Sequence, residues 1–136
     1  MKVRRSPHAV YNIEYHFVWI PKYRKSIMVR NVKAYAKYLI CKVCKEYGLW
    51  IIELEVASDH VHLFVESPPK YSPAEIMNFL KSITAREIFK KFAILREHFW
   101  AGEFWGDGYY VGTSGDQVTT DSVKEYIRRH RSEDDY

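Results

Sequence analysis

Tyr11, Ile13, Tyr15, Phe17 and Trp19 alternate with Asn12, Glu14, His16 and Val18. A period of two sends successive side chains to opposite faces, so this stretch predicts a strand with one strongly apolar face. Pro21-Lys22-Tyr23-Arg24-Lys25 ends it with a basic loop. The period then changes. Val32, Tyr35, Ala36, Leu39, Ile40, Val43 and Tyr47 recur at helical spacing, with Lys33, Lys37 and Lys45 on the other side. Gly48 is placed to close this helix.

Two further strands are expected over residues 49–57 and 60–66, separated only by Ser58-Asp59 as a tight hairpin turn. If so, Ala57 pairs with His60 and Glu55 with His62. Ile52, Leu54, Val56, Val61, Leu63 and Val65 then form the core-facing side. Ser67-Pro68-Pro69 stops the pair. Ser72-Pro73-Ala74-Glu75 opens a second helix with a capping-box pattern and proline at the first helical position. Its apolar stripe runs through Ile76, Phe79, Leu80 and Ile83 and drifts to Ile88 and Phe92. Residues 98–105 show no single period. Residues 109–113 read as a strand, and Thr119-Thr120-Asp121 starts a last helix over residues 121 to about 131. The fold class is therefore α+β. The order β-α-β-β-α-β is the ferredoxin-like pattern of an antiparallel sheet, here with an extra C-terminal helix.

Length makes residues 1–136 one domain with room for a core, ending in an acidic tail at about 132–136. The net charge of +4 and pI of about 9.0 permit a nucleic-acid partner without requiring one. Much of the acid sits in Glu133-Asp134-Asp135, so the body is more basic than the total. Cys41 and Cys44 are too few for a disulfide framework or a zinc knuckle, and read as reduced thiols of a cytoplasmic protein. No signal peptide or apolar run of membrane-spanning length is expected. No phosphate-binding loop pattern is present, so no nucleotide cofactor is expected.

The candidate chemistry begins with Asp59-His60-Val61-His62. Residues two apart on a strand share a face, so His60 and His62 present two imidazoles side by side, away from the core. They can be half-exposed histidines on a polar face, or two ligands of a divalent metal. Glu55 would then be a carboxylate orienting His62, or a further ligand. On the last helix Val123, Tyr126, Ile127 and His130 form one stripe. It can be a packing stripe, or it can bring a phenol and an imidazole to the same site.

These segments together resemble the HUH-type single-tyrosine transposases of bacterial and archaeal insertion sequences. The resemblance rests on Tyr15 to Arg24, on Asp59-His60-Val61-His62-Leu63, on the run from Trp105 to Gly115, and on Lys124-Glu125-Tyr126-Ile127, in that order. It implies that His60 and His62 bind a divalent metal and that Tyr126 is the nucleophile. The family places a glutamine four residues after the tyrosine as third ligand. Here that residue is His130. Mg or Mn is the metal implied, and three nitrogen ligands also admit Zn.

The implied reaction cuts and rejoins single-stranded DNA at the ends of an insertion sequence, which the family recognises through hairpins. It proceeds through a 5′-phosphotyrosine intermediate and in a homodimer, with nucleoid association when DNA is bound. Lys22, Tyr23, Arg24, Lys81 and Arg86 are candidate DNA contacts. A rolling-circle-type HUH nickase would share this chemistry. A metal-independent nucleic-acid-binding module would share the scaffold alone.

Overall fold

The structure is a computed structural model that describes residues 3–22, 30–98, 103–113 and 124–129. A small hairpin comes first, β1 (Arg4–Ser6) paired with β2 (Ala9–Tyr11). The main body follows as β3 (Glu14–Trp19), α1 (Arg30–Glu46), β4 (Trp50–Val56), β5 (Val61–Glu66), α2 (Pro73–Lys91), α3 (Ala93–His98) and β6 (Tyr110–Thr113). Residues 124–129 form a further helical segment, α4. The four-stranded sheet has the order β4-β5-β3-β6, and every pairing is antiparallel. Taken from β3 onward, this is the ferredoxin-like arrangement the sequence predicts.

The core lies on one face of the sheet. Phe17 and Trp19 of β3 and Val61, Leu63 and Val65 of β5 pack against α1 through Val32, Ala36, Leu39, Ile40, Val43 and Cys44. Ile76, Met77, Leu80, Ile88 and Phe89 of α2 complete it. Local signals fix the ends. Ser72 accepts from the Glu75 amide while Glu75 accepts from the Ser72 amide, which is the expected capping box. Gly48, at φ 74°, ends α1: its amide bonds to Lys45 O and the Leu49 amide to Cys44 O, the two bonds of a Schellman motif. Burial pushes the Cys44 thiol up to about 12, with Cys41 adding to the shift, so Cys44 is an inert core residue.

Three expectations change. Tyr11 does not open the long strand. It belongs to β2, and β3 starts at Glu14. The β1–β2 hairpin was not foreseen, because strands of three residues are too short to show a period. Ile52 does not face the core. A bulge in β4 sets Ile51 opposite Val65 and Glu53 opposite Phe64, so Ile52 lies between pairs and is 42% exposed. The bulge lets Ile51 and Leu54, three apart, both pack on the core. The aperiodic stretch holds α3, which follows the end of α2 at Phe92, and then the buried Phe104 and Trp105.

Residues 104–106 run alongside residues 20–22. Lys22 N donates to Phe104 O and Gly106 N to Ile20 O, with Pro21 bridged to Trp105. The Trp105 indole N–H donates to Thr84 Oγ1 at 2.8 Å, and the Thr84 hydroxyl donates to Leu80 O. Thr84 is fully buried, so this link joins the loop before β6 to α2 without access to water. Thr84→Val should lower the unfolding free energy by about 1–3 kcal/mol, because it orphans the buried indole N–H. The same change should cost less in a Trp105→Phe background. Urea unfolding of the four proteins checks this, and equal costs in both backgrounds would dismiss the bond as a stabilising link.

Candidate active site on the open sheet face

The face of the sheet opposite the helices carries the candidate chemistry. β3 and β5 pair with His16 opposite Phe64 and Val18 opposite His62. β6 adds Tyr110 opposite Val18 and Gly112 opposite His16. β4 adds Glu55 opposite His62, the register expected from a Ser58-Asp59 turn, and Ala57 N donates to His60 O at 2.9 Å as that turn requires. Since directly opposed residues share a face, His16, Val18, His62, Phe64, Glu55 and Tyr110 lie on one surface.

His60 precedes β5 and is held by two carboxylates. Its Nδ1 donates to Asp59 Oδ1 at 2.9 Å, and its Nε2 stands 3.3 Å from Glu55 Oε1. The side chain is only 14% exposed. Glu55 therefore pairs with His62 through the backbone but sets its carboxylate against His60.

His62 meets a residue that the motif reading passed over. Its Nε2 is 3.2 Å from Nδ1 of His16, and the two rings are near-parallel with centroids 5.4 Å apart. His16 in turn stacks on Phe64 at 3.8 Å and 6°. The signal was present in the alternation of β3, which put His16 on the face away from the core. Without the β3–β5 register, nothing tied it to His62. Burial lowers the pKa of both imidazoles. For His16, a charge on His62 lowers it further and Glu53 opposes the shift. For His62, Glu53 and Glu55 oppose the shift and His60 adds to it.

Tyr126 lies on α4, half-buried, with its ring 6.3 Å from that of Tyr110. Tyr110 and His62 both oppose Val18, so they stand two strand spacings apart, about 10 Å. Tyr126 therefore stands beside Tyr110, which shares the face of His62 from the edge strand β6. Val18 is fully buried although it points away from the main core, and Ile127 beside Tyr126 is also buried. Gly112 has a fixed role on this face: a methyl there would stand 2.8 Å from the Tyr110 hydroxyl.

The remaining predicted residues are spread more widely. Lys81 donates to Gly106 O at 2.7 Å and Gly108 O at 3.0 Å, tying α2 to the loop that leads into β6. Arg86 is exposed beside Glu87, and Lys22 is 3.7 Å from Glu103. Tyr23, Arg24 and His130 lie outside the described residues. A cavity of about 470 Å³ between α2 and residues 103–109 includes Lys81 but none of the histidines.

Among the described residues no group of three or more His, Cys, Asp or Glu is gathered as a metal centre. What is described fits two arms of one. Asp59 holds His60 by Nδ1, the carboxylate–histidine arrangement that leaves Nε2, which faces Glu55, as the nitrogen for a cation. His62 has its own orienting partner in His16.

The lowered pKa values carry a stability consequence. The folded protein keeps His16 and His62 neutral below the ordinary value of 6.5, where the unfolded chain takes up protons. Their contribution is therefore complete above 6.5 and is lost as pH falls through the folded values. In chelator, the urea midpoint should fall between about pH 8 and about pH 5. His16→Phe should fall less, having one titrating ring fewer. An identical fall in both proteins would place the pH dependence elsewhere.

Known proteins resemble this chain over most of its length. The family described as "Transposase IS200 like" matches residues 9–130. The transposase of insertion sequence element IS200 from Salmonella typhimurium is 32% identical over 127 residues, covering 93% of this chain and 82% of the relative. The ISDra2 transposase TnpA of Deinococcus radiodurans is 30% identical over 127 residues, covering 93% and 90%. A crystal structure of a candidate transposase from Deinococcus radiodurans superposes with a TM-score of 0.83 at 30% identity, covering 93% of this chain and 96% of that one. The chain belongs to the IS200-like transposases.

Proposed function

We propose that this transposase cuts and rejoins single-stranded DNA through a 5′-phosphotyrosine on Tyr126, assisted by a divalent metal held by His60 and His62. The observation that carries the reading is the shared face: both histidines and the Tyr126–Tyr110 pair overlie the same side of the sheet. Tyr126 Oη attacks the phosphorus in line, the bond from phosphorus to the 3′-oxygen breaks, and the phenolic proton is in net terms passed to the released 3′-hydroxyl. The covalent phosphodiester conserves the energy of the broken bond, so rejoining needs no nucleotide cofactor. His60 and His62, with His130 as a third ligand, would hold a Mg or Mn ion, which when bound would polarise the scissile phosphate.

The chain's own residues do the rest. Asp59 fixes the His60 ring, and His16 contacts the His62 ring. Val18 lies between His62 and Tyr110 on this face, and Phe64 stacks on His16 beside His62. Lys22, Arg24 and Arg86 are the cations proposed to meet phosphates, and Tyr23 is proposed to stack on an unpaired base. The Lys81 contacts with Gly106 and Gly108 support instead a role in holding the loop before β6. One tyrosine opens one strand at a time, so joining two element ends calls for a homodimer.

The test uses the DNA flanking the gene as separate labelled single strands with Mn²⁺ or Mg²⁺. A covalent protein–DNA adduct should form on one strand only and vanish with Tyr126→Phe or chelator. His60→Ala or His62→Ala should reduce it by on the order of 100-fold or more, equal to several kcal/mol of transition-state stabilisation. An adduct that persists in Tyr126→Phe would move the nucleophile, with Tyr109 and Tyr110 the next candidates. Hairpin binding with no adduct would favour a metal-independent binding module.

A further inference from the structure

His16 has no assigned part in the reaction, yet it is the closest polar neighbour recorded for the His62 ring. The two residues are diagonal neighbours across the central strand pair, and their rings reach each other because both lie on the open face. His16 is not free to swing. Its ring is stacked flat on Phe64, the residue directly opposite it on β5. The contact from His16 Nδ1 to His62 Nε2 is 3.2 Å, a hydrogen-bond distance.

Two ring nitrogens at that distance share one proton, and the direction decides what His62 can do. If His16 donates, the Nε2 lone pair of His62 is occupied. Neutral His62 then carries its own proton on Nδ1 and has no lone pair left for a cation. If His62 donates from Nε2, its Nδ1 keeps a lone pair. Only the second direction leaves His62 able to act as a ligand while the contact persists. His60 is set the opposite way, with Nδ1 held by Asp59 and Nε2 turned toward Glu55.

We propose that His16 is a positioning residue that accepts the Nε2–H of His62 and so holds His62 in the tautomer whose Nδ1 lone pair is available to a divalent cation. This rests on the reading of His62 as a metal ligand given above. It gives His16 the part that a carboxylate or carbonyl plays behind other metal-binding histidines. Phe64 acts one step further out, by fixing the plane of His16.

Two substitutions separate the acceptor from the ring. His16→Asn keeps an oxygen one bond from Cγ, where Nδ1 stands, but loses the stack on Phe64. His16→Phe keeps a ring on Phe64 but has no acceptor. The first readout is the imidazole nitrogen spectrum of the metal-free full-length protein at about pH 8. Wild-type His62 should be a single Nε2–H tautomer, His16→Asn should preserve it, and His16→Phe should give a mixture. The second readout is Mn²⁺ affinity from the electron paramagnetic resonance signal of free Mn²⁺. His16→Phe should bind about 10–100-fold more weakly, and His16→Asn close to wild type. Backbone amide spectra establish that each variant is folded. If His16→Phe does not fold, the wild-type tautomer and the His16→Asn affinity decide.

His62 protonated on Nδ1 in the wild type would overturn the inference without any variant. So would unchanged Mn²⁺ affinity in a folded His16→Phe. A wild-type protein that binds no Mn²⁺ would instead overturn the metal reading, and the inference with it, which distinguishes the two failures.

Discussion

The pairing of β3 with β5 at the centre of the sheet is the constraint on which the rest depends. Six residues of each strand are in register, and the two faces of that ladder do different work. One face gives Phe17, Trp19, Val61, Leu63 and Val65 to the core. The other gives His16, Val18, His62 and Phe64 to the site. Because the side-chain period is two, a slip of one residue would bury the histidines and expose the valines. The stability of the core and the geometry of the site are thus set by the same register. The hydrophobic face enforces a position for His62 that the imidazoles could not enforce themselves.

That coupling has an electrostatic side. For the proposed metal role these imidazoles would need their lone pairs, which protonation removes. Partial burial on the open face disfavours the charged form of His16 and His62, while the nearby Glu53 and Glu55 oppose that shift. The carboxylates do a second thing, since Asp59 and Glu55 bracket the His60 ring. Burial favours the neutral forms of His16 and His62, and the acids supply negative potential. Neither alone would suit a divalent ion approaching a phosphate.

Much of this was legible in the sequence, for local reasons. The capping box at Ser72, the glycine that ends α1 and the two-residue turn at Ser58-Asp59 are short-range signals, and the last of these correctly set Glu55 opposite His62. Cys44 inside and Cys41 outside follow from helical period alone. What escaped was non-local or irregular. The bulge at Ile52 breaks the alternation that would have shown it. The β1–β2 hairpin is too short for a period, and its anchor, Arg4 to Glu66 at 2.7 Å, joins residues 62 positions apart. Lys81 read as a candidate DNA contact because the carbonyls it meets, at Gly106 and Gly108, lie across the fold. His16 was visible as a residue and as a face, but its contact with His62 required the pairing of two strands separated by α1 and β4.

The ferredoxin-like scaffold by itself says little about chemistry, since it hosts many functions. What distinguishes this chain is that each motif histidine has a partner on a particular nitrogen. His60 is gripped at Nδ1 by the residue before it in sequence, and His62 is met at Nε2 by a residue from the neighbouring strand. A local partner can be kept by two adjacent codons. A cross-strand partner survives only while the β3–β5 register survives. Ring orientation at His62 is therefore a property of the folded sheet, whereas at His60 part of it is present already in the turn. A disturbance of the central strands should loosen His62 before His60, and the two halves of the HxH motif are not equivalent although the sequence writes them alike.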